Sequence, residues 1–232
     1  MSSLVAEPTQ PIVQLTRQGT VFCGSSEGLE QLRSQFEGQH YCRLPQLIEP
    51  ALLELIQRQI DSGQFYEKVH ERIDSNKELC LLENAASGAL LFLVNDEKLF
   101  ELIQQITSCE RVRCFDGRIY RASPDNGHHD AWHNDIGEDR LVGMTVNLSR
   151  DEYAGGVLQL RERESGAPVI EIPNVRAGDA VVFRLASSLQ HRITEVQGQA
   201  SKTAFAGWFR SQPDFSPLLK QNPERGVFGI SC

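Results

Sequence analysis

RLVGMTVNL, residues 140–148, is the stretch that decides the fold class of this chain. Val142, Met144, Val146 and Leu148 alternate with Gly143, Thr145 and Asn147. In an extended segment every second side chain points to the same face. A helix would need its apolar positions three and four apart, so 140–148 reads as a strand with one buried face. Further short apolar runs follow at 157–160, 169–172, 180–183 and 203–209, separated by Gly155-Gly156, Gly166, Gly178-Asp179 and Gly198. Short strands at close spacing with turn residues between them mark a β-sandwich or barrel. On the upstream side, Asp116-Gly117 reads as a tight turn ahead of Arg118-Ile119-Tyr120.

Before residue 110 the period changes. Leu29, Leu32 and Phe36 keep helical spacing, with Ser26 as the expected cap. Pro50 opens a second helix, where its missing N–H costs nothing; Leu52, Leu53, Ile56 and Ile60 make its apolar face and Ser62-Gly63 ends it. Asp96 is the expected cap of a third helix carrying Leu99, Leu102, Ile103 and Ile106. Residues 1–12, with Pro8 and Pro11, are expected to be a flexible tail. Helices first and many strands later predict a mainly β chain with flanking helices (α+β). The expected core is a double-stranded β-helix, or jelly roll, with the N-terminal helices packed on one sheet. The expected organisation is a single domain over 13–232. It comprises a helix-rich part (13–110), the jelly-roll core (111–210) and a C-terminal extension (211–232) to which the sequence assigns no role.

With 232 residues, 40% of them hydrophobic, the chain can bury a full core. A formal net charge of −8 argues against nucleic acid, whose phosphates call for a basic face. The longest apolar run, 89–94, is far too short to cross a bilayer, and the Met1 end lacks the basic start and apolar run of a secretory signal. Cys23, Cys42, Cys80, Cys109, Cys114 and Cys232 form no C-x-x-C pair. Free thiols in a reducing cytoplasm are therefore expected, and zinc held by cysteines is discounted.

The chemistry points to His133-Asn134-Asp135 and the distant His191. Two imidazoles and a carboxylate are the donors of the facial triad that holds Fe(II) on one side and leaves the opposite positions open. Strand periodicity turns His133 and Asp135 to one side and Asn134 away. His128-His129-Asp130 offers a rival triplet just upstream. Lys202 shares strand parity with Ala204, Ala206 and Trp208, so one face carries a cation, two small residues and a large aromatic. Such a face suits the wall of a cavity for an anionic co-substrate.

In this order, Tyr120, His133-Asn134-Asp135, residues 140–148, YAGGVL at 153–158, AGDAVVF at 177–183, HRITEV at 191–196, Lys202 and Trp208-Phe209 carry a resemblance. The segment 119–209 resembles the 2-oxoglutarate/Fe(II)-dependent oxygenases, in particular their prolyl-4-hydroxylase-like branch, and the helix opened by Pro50 resembles that family's leading helix. The resemblance implies that His133, Asp135 and His191 ligate iron. Spacing from Asp135 to Arg140 and Gly155-Gly156 favours this triplet over the upstream one. It further implies that Lys202 pairs with the distal carboxylate of 2-oxoglutarate, that Tyr120 bonds the co-substrate and that Trp208 lines the same pocket. Asn147 falls where some relatives place a co-substrate tyrosine. Fe(II), 2-oxoglutarate and O2 are the implied cofactors, with ascorbate a candidate addition, and no catalytic side chain is needed beyond the metal ligands. The implied reaction is hydroxylation of an unactivated C–H bond, with succinate and CO2 as co-products. The substrate would be a peptide or protein side chain, or a small amino-acid-like metabolite. Asp135 occupies the position that a halogenating relative leaves for chloride, which favours hydroxylation. Two other readings stand beside this one. A cupin-like metal-binding protein would present more histidines than the single one downstream, His191; an inactive relative would serve as a binding module. Oligomeric state is not legible.

Overall fold

In the structure, a computed structural model, residues 10–70, 76–124, 131–137, 139–164 and 168–213 are described. The chain begins with a hairpin of β1 (Val13–Thr16) and β2 (Gly19–Phe22), followed by α1 (Ser26–Gln39) and β3 (Tyr41–Leu44). Next come α2 (Pro50–Asp61), a second hairpin of β4 (Phe65–His70) and β5 (Asn76–Leu81), and then α3 (Ala85–Val94) and α4 (Glu97–Thr107). From there the described elements are strands. They are β6 (Cys114–Ala122), β7 (Arg140–Asn147), β8 (Ala154–Gly155), β9 (Leu158–Glu162), β10 (Ile170–Ile172), β11 (Ala180–Arg184), β12 (Leu189–Ile193), β13 (Val196–Gln197) and β14 (Lys202–Arg210).

Seven strands form one antiparallel sheet in the order β3-β11-β7-β14-β6-β5-β4. The smaller sheet β10-β9-β12 and the pair β13-β8 complete the jelly roll. Alternation gives the large sheet two faces with separate partners. On one face Met144, Val146, Val182, Phe205 and Phe209 join Leu32, Phe36, Ile56, Leu99 and Ile103 of the helices in the main core. On the other, Tyr41, Val181 and Phe183 meet Leu158, Leu160 and Ile172 of the small sheet. The mainly β architecture with helices on one sheet is therefore as expected, and its inner cavity lies between the two sheets.

Local chemistry explains the helices. Pro50 stands in the first turn of α2, where Leu52, Ile56 and Ile60 are buried and Ser62 closes the end. Asp96 caps α4 by accepting from the Lys98 N–H at 2.8 Å. The cap of α1 is Ser25 rather than Ser26, its hydroxyl accepting from the Gly28 N–H at 3.2 Å.

Four further features differ from expectation. The apolar run 89–94 is the second half of α3, started by Asn84 accepting from the Ala86 and Ser87 N–H groups. It is apolar nearly all round and leaves Phe92 80% exposed, so no amphipathic period marked it. Asp116-Gly117 is not a turn but the middle of β6, where Gly117 lies opposite Gly207 of β14. A Cβ on Gly207 would collide with the Asp116 carbonyl, so glycine here serves close backbone approach. The β4–β5 hairpin extends the large sheet from within the helix-rich part. Ile12, at the edge of the expected tail, is buried and its carbonyl accepts from the Cys23 and Gly24 N–H groups. Residues 1–9, the triplet His128-His129-Asp130, the turn at Gly166 and residues 214–232 lie outside the described residues.

Candidate metal centre and adjoining pocket

His191 is placed by a regular ladder. It sits on β12 opposite Leu160 of β9, is buried, and packs edge-on against Phe183 with ring centroids 5.1 Å apart. His133 belongs to no strand. A single antiparallel bridge ties it to His191: the His133 N–H donates to the His191 carbonyl at 3.1 Å, and the His191 N–H donates back at 2.8 Å. The bridge brings the two imidazoles to a centroid distance of 4.4 Å. Asp135, two residues on, turns to the same side. Its Oδ2 is 3.2 Å from His191 Nε2 and its Oδ1 3.8 Å from His133 Nε2.

One ligand atom from each of the three lies within 4.8 Å of the others, and among the described residues this is the one such group of three or more metal-capable side chains. His133 Nδ1 is 2.8 Å from the Ala131 carbonyl. A carbonyl only accepts, so Nδ1 carries a proton and Nε2 is the nitrogen turned to the centre. Burial alone would raise the Asp135 carboxyl. The hydrogen bond and charge of His191, the charge of His133 and the Trp208 indole N–H outweigh it and hold the group at about 2. Asp135 is thus a carboxylate at neutral pH, as a metal ligand must be. Two imidazoles and one carboxylate fit the donor set of a facial Fe(II) site and fall short of the four donors of a closed tetrahedral zinc site. Cys23, Cys42, Cys80, Cys109 and Cys114 form no disulfide among the described residues and take no part in the cluster.

Around Asp135 the structure adds two residues that frame it. Trp208 Nε1 donates to Oδ2 at 3.0 Å, and Arg140 stacks its guanidinium 3.7 Å above the Trp208 ring. Arg140 Nη1 also donates to the Asp135 backbone carbonyl at 3.3 Å. Arg140 entered the sequence reading only as part of the family match, not as a site residue.

A small pocket lies between the sheets and is lined by Lys202, Thr145, Asn147, Tyr153 and apolar residues that include Leu158 and Val181. Lys202 is buried. Its Nζ donates to the Gly156 carbonyl at 2.6 Å and stands 5.8 Å from the centre of the Tyr153 ring. Burial pushes the Tyr153 phenol up to about 12, so it stays neutral. Asn147 lines the pocket with an amide already engaged: Nδ2 donates to the Val175 carbonyl at 2.7 Å and Oδ1 accepts from the Ser149 N–H at 3.0 Å. Of the four residues expected around a co-substrate, Lys202 and Asn147 line this pocket. Trp208 reaches Asp135 instead, and Tyr120 is buried on β6 opposite Ala204 and Cys80. Tyr153 and Thr145 were missed. Thr145 could have been found, since it shares strand parity with Asn147; Tyr153 lies in a loop where no period applies.

Residues 118–210 match the family model of the 2OG-Fe(II) oxygenase superfamily. Comparison with curated protein sequences gives no match. Among solved structures, an oxidoreductase of the 2OG-Fe(II) oxygenase family from Burkholderia pseudomallei is 14% identical with a TM-score of 0.62, over 82% of this chain and 94% of that one. A Pseudomonas putida prolyl-4-hydroxylase is 18% identical with a TM-score of 0.58, over 80% of this chain and 100% of that one. A prolyl hydroxylase from Trichoplax adhaerens, solved with a peptide fragment of a hypoxia inducible factor oxygen degradation domain, is 15% identical with a TM-score of 0.56, over 81% and 94%. At such identities these structures speak for the fold, while the family match spans β6 to β14 with the triad and the lysine pocket inside it. Residues 118–210 are thus a segment of the 2OG-Fe(II) oxygenase superfamily, and with it the chain is a 2-oxoglutarate-dependent dioxygenase whose cofactors are Fe(II), 2-oxoglutarate and O2.

Proposed function

We propose that the chain hydroxylates an unactivated C–H bond of a peptide or protein side chain, or of a small amino-acid-like metabolite. The stoichiometry is substrate, 2-oxoglutarate and O2 giving hydroxylated substrate, succinate and CO2. In this reading His133, Asp135 and His191 hold Fe(II), and Lys202 receives the distal carboxylate of 2-oxoglutarate. The observation that carries it is the convergence of three ligand atoms within 4.8 Å in a segment that also holds a buried lysine in a pocket.

Bound Fe(II), with 2-oxoglutarate and O2, supplies the oxidising chemistry; the chain supplies placement and exclusion of water. Ala131 fixes the His133 tautomer, and His191, His133 and Trp208 keep Asp135 ionised. Lys202 offers a point charge deep in the pocket, with the neutral Tyr153 and Thr145 beside it and Leu158 and Val181 as dry walls. Tyr120 and Asn147 remain in the proposed co-substrate shell, Asn147 by shaping the pocket wall through Val175 and Ser149. Trp208, which the family resemblance puts in that shell, acts in this reading on Asp135, whose carboxylate its N–H holds. An aspartate in the triad leaves no ligand position vacant for a halide, which favours a hydroxyl product.

A peptide substrate draws support from the Trichoplax relative, which was solved with one. The prolyl-4-hydroxylase-like branch is favoured on the same ground and on the Lys202 match. We treat residues 13–232 as one oxygenase domain. Its free thiols favour a cytoplasmic setting, and among the described residues no helix is long and apolar enough to cross a membrane. The test is succinate formation from 2-oxoglutarate with Fe(II) in air, stimulated by proline-containing peptides or by free amino acids. Stimulation by one class identifies the substrate. No succinate under any condition, with 2-oxoglutarate and Mn(II) failing to raise the melting temperature, would sink the reading.

A further inference from the structure

Two ligands of one proposed metal site are held in different ways. His191 is locked into β12 by a ladder with β9, while, among the described residues, the segment carrying His133 and Asp135 pairs with the small sheet through one bridge. A lone bridge defines a backbone position poorly, yet a metal ligand needs placement to within a fraction of an ångström. Something outside the ladder must supply the difference.

The outer face of the small sheet has the means. Trp132, next to His133, stacks with two guanidiniums: Arg161 at 4.3 Å and Arg192 at 4.6 Å from its ring centre. Both are held in place by cross-strand partners. Arg161 donates through Nε and Nη2 to Gln190 Oε1 at 3.0 and 2.7 Å, and Arg192 Nε donates to Gln159 Oε1 at 2.7 Å. Gln159 in turn donates to Glu171 at 2.6 Å, so the brace crosses β12, β9 and β10. Guanidiniums with fixed planes form a preorganised slot for an indole. Arg192 directly follows His191, so the strand that presents one imidazole inward presents half of the slot outward.

We propose that Trp132, clamped by Arg161 and Arg192, is the positioning residue that sets His133 at the metal. It replaces on the outer face the ladder that the His133 segment lacks. The proposal rests on the metal-ligand reading above, and the experiment separates the two.

The full-length chain is freed of metal and titrated with Mn(II) by calorimetry, and with Co(II) by visible absorption as a signature of ligand geometry. Variants are Trp132→Ala, Trp132→Phe, the double variant Arg161→Gln/Arg192→Gln, and His133→Ala. Trp132→Ala and the double variant are expected to weaken Mn(II) by about 10–100-fold, the range for outer-shell partners of metal ligands, and to alter the Co(II) band. Trp132→Phe, which keeps a ring for the guanidiniums to stack on, recovers most of the affinity. The metal-free melting temperatures of the double variant and of Trp132→Phe stay near that of the parent chain. Mn(II) affinity unchanged in His133→Ala overturns the ligand reading itself. Affinity lost in His133→Ala but retained in the double variant overturns the clamp alone. A double variant that loses metal-free stability in step with affinity also overturns it, because the slot is then a structural brace only.

Discussion

The two faces of β14 place opposite demands on alternate residues of one strand. Phe205 and Phe209 point to the helices, are fully buried and pack against Phe115 at centroid distances of 5.4 and 4.9 Å. Lys202, Ala204, Ala206 and Trp208 point inward, and carry a buried cation, two small side chains and an indole spent on Asp135. One face is close-packed hydrocarbon; the other keeps room and places charge. The comparison shows how the fold can hold a desolvated lysine. A buried charge is costly, but Nζ donates to the Gly156 carbonyl and stands near the Tyr153 ring, and the cohesion of the domain comes from the other side of the sheet.

The largest expected effect falls on the inner side. His191→Ala removes one of three proposed ligands, so succinate formation drops below detection while the helix-side core stays intact. Circular dichroism with a turnover assay checks both halves. Measurable turnover in a folded variant would remove His191 from the site. Next comes the outer face: Phe205→Ala empties a fully buried aromatic position and costs about 3–5 kcal/mol of stability. Its folded fraction should bind Mn(II) and 2-oxoglutarate as the parent does. A parallel loss of affinity would mean that the two faces are not independent. Lys202→Ala is smaller and opposite in kind. Losing a charge-assisted contact costs about 1.5–3 kcal/mol, which is roughly 10–100-fold in 2-oxoglutarate affinity, read by calorimetry with Mn(II) present. Its melting temperature should fall much less than that of Phe205→Ala.

The same strand shows what could be read in advance. Period two in 140–148 and in 202–209 requires only local sequence, and it gave the first strand one buried face and the second a cavity face before any partner was known. The pairing of His133-Asn134-Asp135 with a distant histidine was legible because metal chemistry restricts donor types so tightly. What escaped depends on partners far along the chain. Asp116-Gly117 reads as a turn until Gly207 is seen opposite. α3 carries no period because it is apolar nearly all round. Asn147 shows its parity but not that Val175 and Ser149 occupy its amide. Parity put Trp208 on the inner face and was silent on where its N–H points.

That last point gives the smallest effect and the sharpest discrimination. Trp208→Phe keeps a ring for Arg140 to stack on and deletes only the donor to Asp135 Oδ2. Asp135 retains His191 at 3.2 Å and Arg140 at 3.6 Å from its carboxylate oxygens, so the carboxylate is loosened rather than released. The expected loss in Mn(II) affinity is therefore near the low end of the range for outer-shell partners, about 10-fold. With Mn(II) saturating, 2-oxoglutarate affinity should be unchanged, because the indole is not among the side chains lining the Lys202 pocket. The reverse pattern, weakened 2-oxoglutarate with Mn(II) affinity intact, would return Trp208 to the co-substrate wall that the family resemblance implies. Each face of β14 would then be uniform in purpose, and the hydrogen bond to Asp135 incidental.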